Sequence, residues 1–179
     1  MPAERELETK VNTGTVNTVD ATSGATNGAQ VTDGVYISDL QTAKNSAWIL
    51  ANHIDYIINL SGFTYDSSVR VLVVDCLDEL VSVKNLPTYV EKFMKIAKLV
   101  TKLRAKNKRV LVHCYAGINR SATAIGFYMA MCGQNRDQVM NRLIAVNRSR
   151  GLNVLTNPSF MYMLECYMSY KKIDSPRHN

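Results

Sequence analysis

Arg109-Val110-Leu111-Val112-His113-Cys114-Tyr115-Ala116-Gly117-Ile118-Asn119-Arg120-Ser121 reads as one unit: an apolar β-branched run, a short loop between a cysteine and an arginine, and the start of a helix. The five residues between Cys114 and Arg120 are enough chain to curl successive N–H groups inward as an anion-binding nest. The helix that follows adds its positive N-terminal end. A cysteine at the base of such a field is favoured as the thiolate, the form that attacks phosphorus. Arg120 supplies a planar fork suited to two phosphate oxygens. Tyr115, Ala116, Gly117, Ile118 and Asn119, with Arg120, are therefore the candidate substrate-binding positions, and Cys114 is the candidate nucleophile. Read alone, Cys114 would be a buried small hydrophobe; Gly117 and Arg120 at this spacing select the chemical reading.

Upstream, Val35-Tyr36-Ile37 predicts a strand, Thr42 to Asn52 a helix with Thr42 as its cap, and Tyr56 to Leu60 a buried strand ending at Ser61-Gly62. Val69 to Val74 is a further apolar run of the kind that fills a sheet centre. Pro87 suits a first helical turn, and Tyr89, Val90, Phe93, Ile96, Ala97, Val100 and Leu103 recur at helical spacing. Ser121 to Cys132 is small and apolar, as for a helix packed behind the loop, and Gly133 ends it. Helices over Arg136 to Val146 and Pro158 to Tyr170 complete the set, with Asn157 or Ser159 as cap of the last. Strands alternating with helices predict an α/β fold with a central mostly parallel sheet flanked by helices. The cysteine loop would then lie at the sheet's carboxyl edge.

The 179 residues, 46% of them hydrophobic, suit one domain with a real core. Residues 1–30, mostly Thr, Asn, Gly, Ala, Val and Ser after a charged start, are expected to be a flexible arm; 31–172 form the domain and 173–179 a polar tail. Four cysteines without C-x-x-C spacing, and a polar start from Met1 to Lys10, lead to the expectation of a reducing, cytoplasmic setting. No apolar run approaches the roughly 18 residues of a membrane span. The net charge of +6 suggests anionic partners. Much of it lies in Lys92, Lys95, Lys98, Lys102, Arg104, Lys106, Lys108 and Arg109, a pattern that a solvated helix face explains as readily as a binding stripe.

His113-Cys114-x-x-Gly117-x-x-Arg120-Ser121 is the signature of cysteine-based phosphatases, and from about Gly34 to Tyr170 the chain resembles the dual-specificity protein phosphatase family. Val-Leu-Val-His-Cys before the loop, Asn-Arg-Ser at its end, and Arg150-Gly151 followed by Asn157-Pro158-Ser159-Phe160 look like the poxvirus-type branch. The resemblance implies a cysteinyl-phosphate intermediate and hydrolysis of phosphotyrosine and phosphoserine or phosphothreonine in protein substrates, with no cofactor and no metal. It makes His113 a residue that hydrogen-bonds near the loop and helps hold the thiolate, and Asn157 one that ties a neighbouring loop to the cradle. Ser121 would aid departure of the thiolate, besides any role as a helix cap.

Leaving-group protonation needs an acid from another loop. Val71 to Asp75 matches the family pattern of an apolar strand followed by the acid, so strand register favours Asp75. It lies 39 residues before Cys114, a long separation, and Asp78, with Glu79 behind it, is the rival. Cys76 is a candidate partner for an oxidised Cys114, and Arg148 and Arg150 are candidates to meet a second phosphate. The loop carries no lysine, unlike phosphoinositide-directed relatives, and Ala116 stands where RNA triphosphatase relatives carry a second histidine. An RNA 5′-triphosphatase and a non-catalytic phospho-binding module remain as alternatives, with nucleic acid the weaker partner. A swapped N-terminal segment, possible in that branch, finds little helical pattern here, so a monomer or weak homodimer is expected.

Overall fold

The computed structural model describes residues 26–174. Its centre is a five-stranded sheet in the order β1-β2-β5-β3-β4, from Ala29–Thr32, Val35–Ser38, Val110–His113, Tyr56–Asn59 and Arg70–Val73. β1 runs antiparallel to β2, and every other pairing is parallel. The strand that carries the cysteine is therefore the middle one. Tyr36, Ile57 and Leu111 point to one face of the sheet, and Val35, Ile37, Ile58, Val110 and Val112 to the other. Both faces are covered over β2, β3 and β5, which is why these three read as continuous apolar runs instead of alternating ones; β4, expected at the sheet centre from its apolar run, is instead a half-exposed edge strand.

The larger face packs against α3 (Leu86–Arg104), α4 (Arg120–Met131), α5 (Arg136–Ser149) and α6 (Pro158–Asp174). Pro87 falls in the first turn of α3, and the buried residues Tyr89, Phe93, Ile96, Ala97, Val100 and Leu103 form its inner stripe. α4 is buried from Arg120 to Ala130 and lies among the other three helices. Phe127 stacks on Tyr167 with centroids 4.5 Å apart and meets Phe93 at 5.6 Å. The smaller face is covered by α1 (Leu40–Lys44) and α2 (Ser46–Ala51), around Ala43 and Ile49.

Two expectations are corrected. The single helix from Thr42 is two short helices: Asp39 caps α1 by accepting the Thr42 N–H at 2.8 Å, and Asn45 ends α1 and caps α2. Asn45 competes for the backbone with its own side chain, and apolar periodicity does not register that break. The second concerns the arm. Its last residues are built into the domain: Gly28 lies against Trp48, the Asn27 N–H donates to Thr42 Oγ1, and β1 starts at Ala29 with Val31 fully buried. Residues 1–25 and 175–179, which hold the remaining arm and most of the tail, lie outside the described residues. α6 runs on to Asp174, past the expected start of the tail.

Candidate active site

β5 ends at His113 and α4 begins at Arg120, so the loop between them leaves the carboxyl edge of the central strand and enters the most buried helix. Its carbonyls are tied outward. Tyr115 O accepts from the Leu40 N–H, Gly117 O from Arg150 Nη1, Ile118 O from the Leu155 N–H and Asn119 O from Thr123. Carbonyls held away from the centre are what an anion-binding nest requires. Gly117 adopts φ +69, and a Cβ there would lie 2.7 Å from Ser38 O, so both conformation and packing call for glycine.

Cys114 is 1% exposed at the floor of the loop, with its Sγ 3.3 Å from Ser121 Oγ. That serine is the second residue of α4 and its hydroxyl is aimed at the sulfur. Arg120 spends Nη1 on two carbonyls, Leu60 O at 2.7 Å and Cys76 O at 3.1 Å. Its buried Nε has no hydrogen-bond acceptor among the described residues. The side chain is thus anchored by one nitrogen, with N–H capacity left over for an anion.

His113 is fully buried and sits in a hydrogen-bond relay. Nδ1 lies 3.3 Å from Cys114 O and Nε2 lies 2.7 Å from the Tyr65 hydroxyl. Burial pushes its imidazole down to about 4, against a smaller opposing effect of the Cys114 carbonyl, so the ring is neutral at neutral pH. A neutral ring with Nδ1–H donating to Cys114 O leaves Nε2 to accept from Tyr65, a consistent tautomer. Tyr65 had no signal in the sequence, because the partnership joins positions 48 apart.

The two candidate acids are placed differently. Both are exposed residues, but the Asp75 backbone carbonyl accepts from Lys92 Nζ and, among the described residues, no hydrogen bond or ion pair reaches its carboxylate. Asp78 Oδ2 lies 3.7 Å from Arg120 Nε and 3.2 Å from Asn119 Nδ2, and Oδ1 accepts from Asn157 Nδ2 at 3.0 Å. The Cys76 carbonyl held by Arg120 is two residues upstream and draws this stretch onto the cradle. Asn157 joins three elements. Its Nδ2 also donates to Glu79 O, its backbone N–H to Asn119 Oδ1, and its Oδ1 accepts from the Ser159 N–H at the start of α6.

Arg150 Nη1 donates to Gly117 O and Asn147 Oδ1, and Nε to Asn27, while its Nη2 has no hydrogen-bond partner among the described residues. Arg148 is exposed. Burial pushes the Cys76 thiol up to about 12, against the nearby positive charges of Lys92 and Arg120. Among the described residues no group of three or more histidine, cysteine or acidic side chains could hold a metal ion, and no helix is long and apolar enough to cross a membrane.

Residues 35–170 match the family described as dual specificity phosphatase, catalytic domain. The tyrosine-protein phosphatase yvh1 of Schizosaccharomyces pombe is 27% identical over 78% of this chain, which spans only 41% of that protein's length. The dual specificity protein phosphatase H1 of Variola virus is 26% identical, covering 73% of this chain and 76% of the viral one. Among solved structures, human DUSP28 superposes with a TM-score of 0.67 at 17% identity, over 82% of this chain and 99% of that one.

Proposed function

The chain belongs to the dual specificity phosphatase catalytic-domain family, and from that premise we propose that it hydrolyses phosphate monoesters on tyrosine and on serine or threonine side chains of proteins through a cysteinyl-phosphate. The observation that carries the reading is Arg120: its Nη1 is fixed on the Leu60 and Cys76 carbonyls, while its buried Nε, 3.7 Å from the Asp78 carboxylate, has no hydrogen-bond acceptor among the described residues and lies beside a cysteine at the loop's floor. A bound phosphate supplies that acceptor. Arg120 and the N–H groups of Tyr115 to Arg120 hold the equatorial oxygens as Cys114 Sγ attacks in line, forming the S–P bond while the P–O bond to the side chain breaks.

We assign the proton for the departing oxygen to Asp78. Its approach to Arg120 and Asn119 favours it over Asp75, which strand register alone had preferred. Water then attacks phosphorus, the Asp78 carboxylate takes its proton, and the S–P bond breaks to release inorganic phosphate. A hydrogen bond from Ser121 Oγ to the departing thiolate, over the 3.3 Å seen here, eases that last step.

A burst of phosphate from an aryl phosphate tests the nucleophile. Cys114→Ser should abolish it, and equal release by the two proteins would sink the enzyme reading. The acid is tested by comparing Asp78→Asn with Asp75→Asn on a phosphothreonine peptide and on p-nitrophenyl phosphate. Asp78→Asn should cost about 10²–10⁴-fold on the peptide, whose alkoxide leaves poorly, and much less on the activated ester. The opposite ranking of the two variants would return the role to Asp75. Faster release from an RNA 5′-triphosphate than from either phosphopeptide would move the substrate class to RNA.

A further inference from the structure

We propose that Phe63 and Tyr115 form a preset aromatic wall that receives the ring of a phosphotyrosine side chain and biases this site toward phosphotyrosine over phosphothreonine. The inference rests on the reading of the Cys114 loop as a phosphate site and specifies which phosphoresidue that site takes.

Topology brings the two residues to the same edge. β3 and β5 are parallel neighbours with Asn59 opposite His113, so the chain leaves both strands side by side. The Leu60 N–H then bonds His113 O at 2.9 Å, and Leu60 O accepts from Arg120 Nη1. Phe63 follows three residues later, and Tyr115 is the residue next to the nucleophile. Their rings meet with centroids 5.8 Å apart at an interplanar angle of 41°. Even so, Phe63 is 55% and Tyr115 59% exposed. Two large rings that pair and still present more than half their surface to solvent beside the catalytic loop are placed to receive a third.

The turn that carries Phe63 is built to hold it. Buried Asn59 accepts from the Ser61 N–H at 2.8 Å and from the Ser61 hydroxyl at 2.7 Å, and its Nδ2 donates to Phe63 O at 2.7 Å. Ser61 Oγ in turn accepts from the Phe63 N–H at 3.1 Å. Both backbone polar groups of Phe63 are therefore fixed by side chains anchored at the end of β3. With both its backbone polar groups held, Phe63 loses little backbone freedom when a ring docks on it.

The bias follows from the length of the substrate. With phosphate at the floor of the cradle, a phosphotyrosine ring occupies the stretch between the ester oxygen and the peptide backbone, level with the rim. A phosphothreonine puts only its short aliphatic stub there and brings its backbone down to the rim. Tilted or offset ring contacts favour the aromatic substrate by about two- to tenfold each.

The test uses the Cys114→Ser protein, in which binding is read without turnover, so that failure of the catalytic proposal does not silence it. Two peptides differing only in phosphotyrosine against phosphothreonine are titrated calorimetrically. The expected result is about tenfold tighter binding of the phosphotyrosine peptide, a ratio that falls toward unity in Phe63→Ala and in Tyr115→Ala and is kept in Phe63→Trp. Equal affinities for the two peptides, or an unchanged ratio in Phe63→Ala, would overturn the inference. Failure of both peptides to bind would overturn it together with the phosphate reading beneath it.

Discussion

His113 shows how one side chain beside the nucleophile couples the site to pH. The unfolded chain protonates this imidazole near its ordinary value of 6.5, whereas burial delays protonation in the fold to about 4. Between those values the unfolded state binds more protons, so stability is full above pH 6.5 and falls as the pH drops toward 4. The total comes to about 3 kcal/mol. Urea unfolding across that range should show the loss, and His113→Asn should flatten this part of the profile. Because the Tyr65 hydroxyl and Cys114 O already occupy both ring nitrogens, protonation would also make Nε2 a donor facing an O–H that now donates to it. The sequence identifies His113 by its place before the cysteine. Its partner could not be read, since nothing in Ser-Gly-Phe-Thr-Tyr distinguishes the aromatic that turns inward from the one that stays exposed.

At the scale of elements, α6 is more than a brace for the core. Asn157 caps its N-terminus while tying Asp78 and Glu79 to the cradle residue Asn119. The sequence presents these as competing roles for one asparagine, and the geometry shows one residue filling both: Oδ1 caps the helix, Nδ2 holds Asp78 and Glu79, and the backbone N–H reaches Asn119. Asn157→Ala should therefore cost about 1 kcal/mol from the lost cap and also loosen the Asp78 segment. Activity toward a phosphothreonine peptide should fall further than activity toward p-nitrophenyl phosphate; a uniform loss would mean that Asn157 serves stability alone. The strand–loop–helix around Cys114 was legible because hydrophobic period, loop length and residue chemistry all agree there. The choice between Asp75 and Asp78 was not, because the apolar pattern runs on to Val74 while β4 ends at Val73. Beyond that point the path is set by Arg120 gripping the Cys76 carbonyl, a backbone contact that no side-chain pattern announces.

Across the whole molecule, Arg150 joins regions that the chain keeps far apart. From the end of α5 it reaches Asn27 ahead of the first strand, Gly117 in the cradle and Asn147 on its own helix. The alternation of strands and helices predicted the layers of the fold, but not this clasp, since an arginine near a helix end reads by default as a surface charge. Burial lowers the guanidinium's affinity for its proton, and the nearby Asp39 works the other way, so the charge is retained inside. Arg150→Met keeps much of the volume and removes the fork. It leaves the Gly117 and Asn27 carbonyls without their donor, at a cost of about 1–3 kcal/mol for each carbonyl that water does not reach. The expected outcome is a lower melting temperature together with a similar fractional loss of kcat/KM on phosphotyrosine and phosphothreonine peptides, because the cradle's frame would shift for both alike. A loss confined to doubly phosphorylated peptides would instead mean that Arg150 meets a second phosphate. Nη1 and Nε, already committed to Gly117, Asn147 and Asn27, would have to give up those bonds to meet it, which leaves Nη2 as the one nitrogen of this guanidinium without a partner among the described residues.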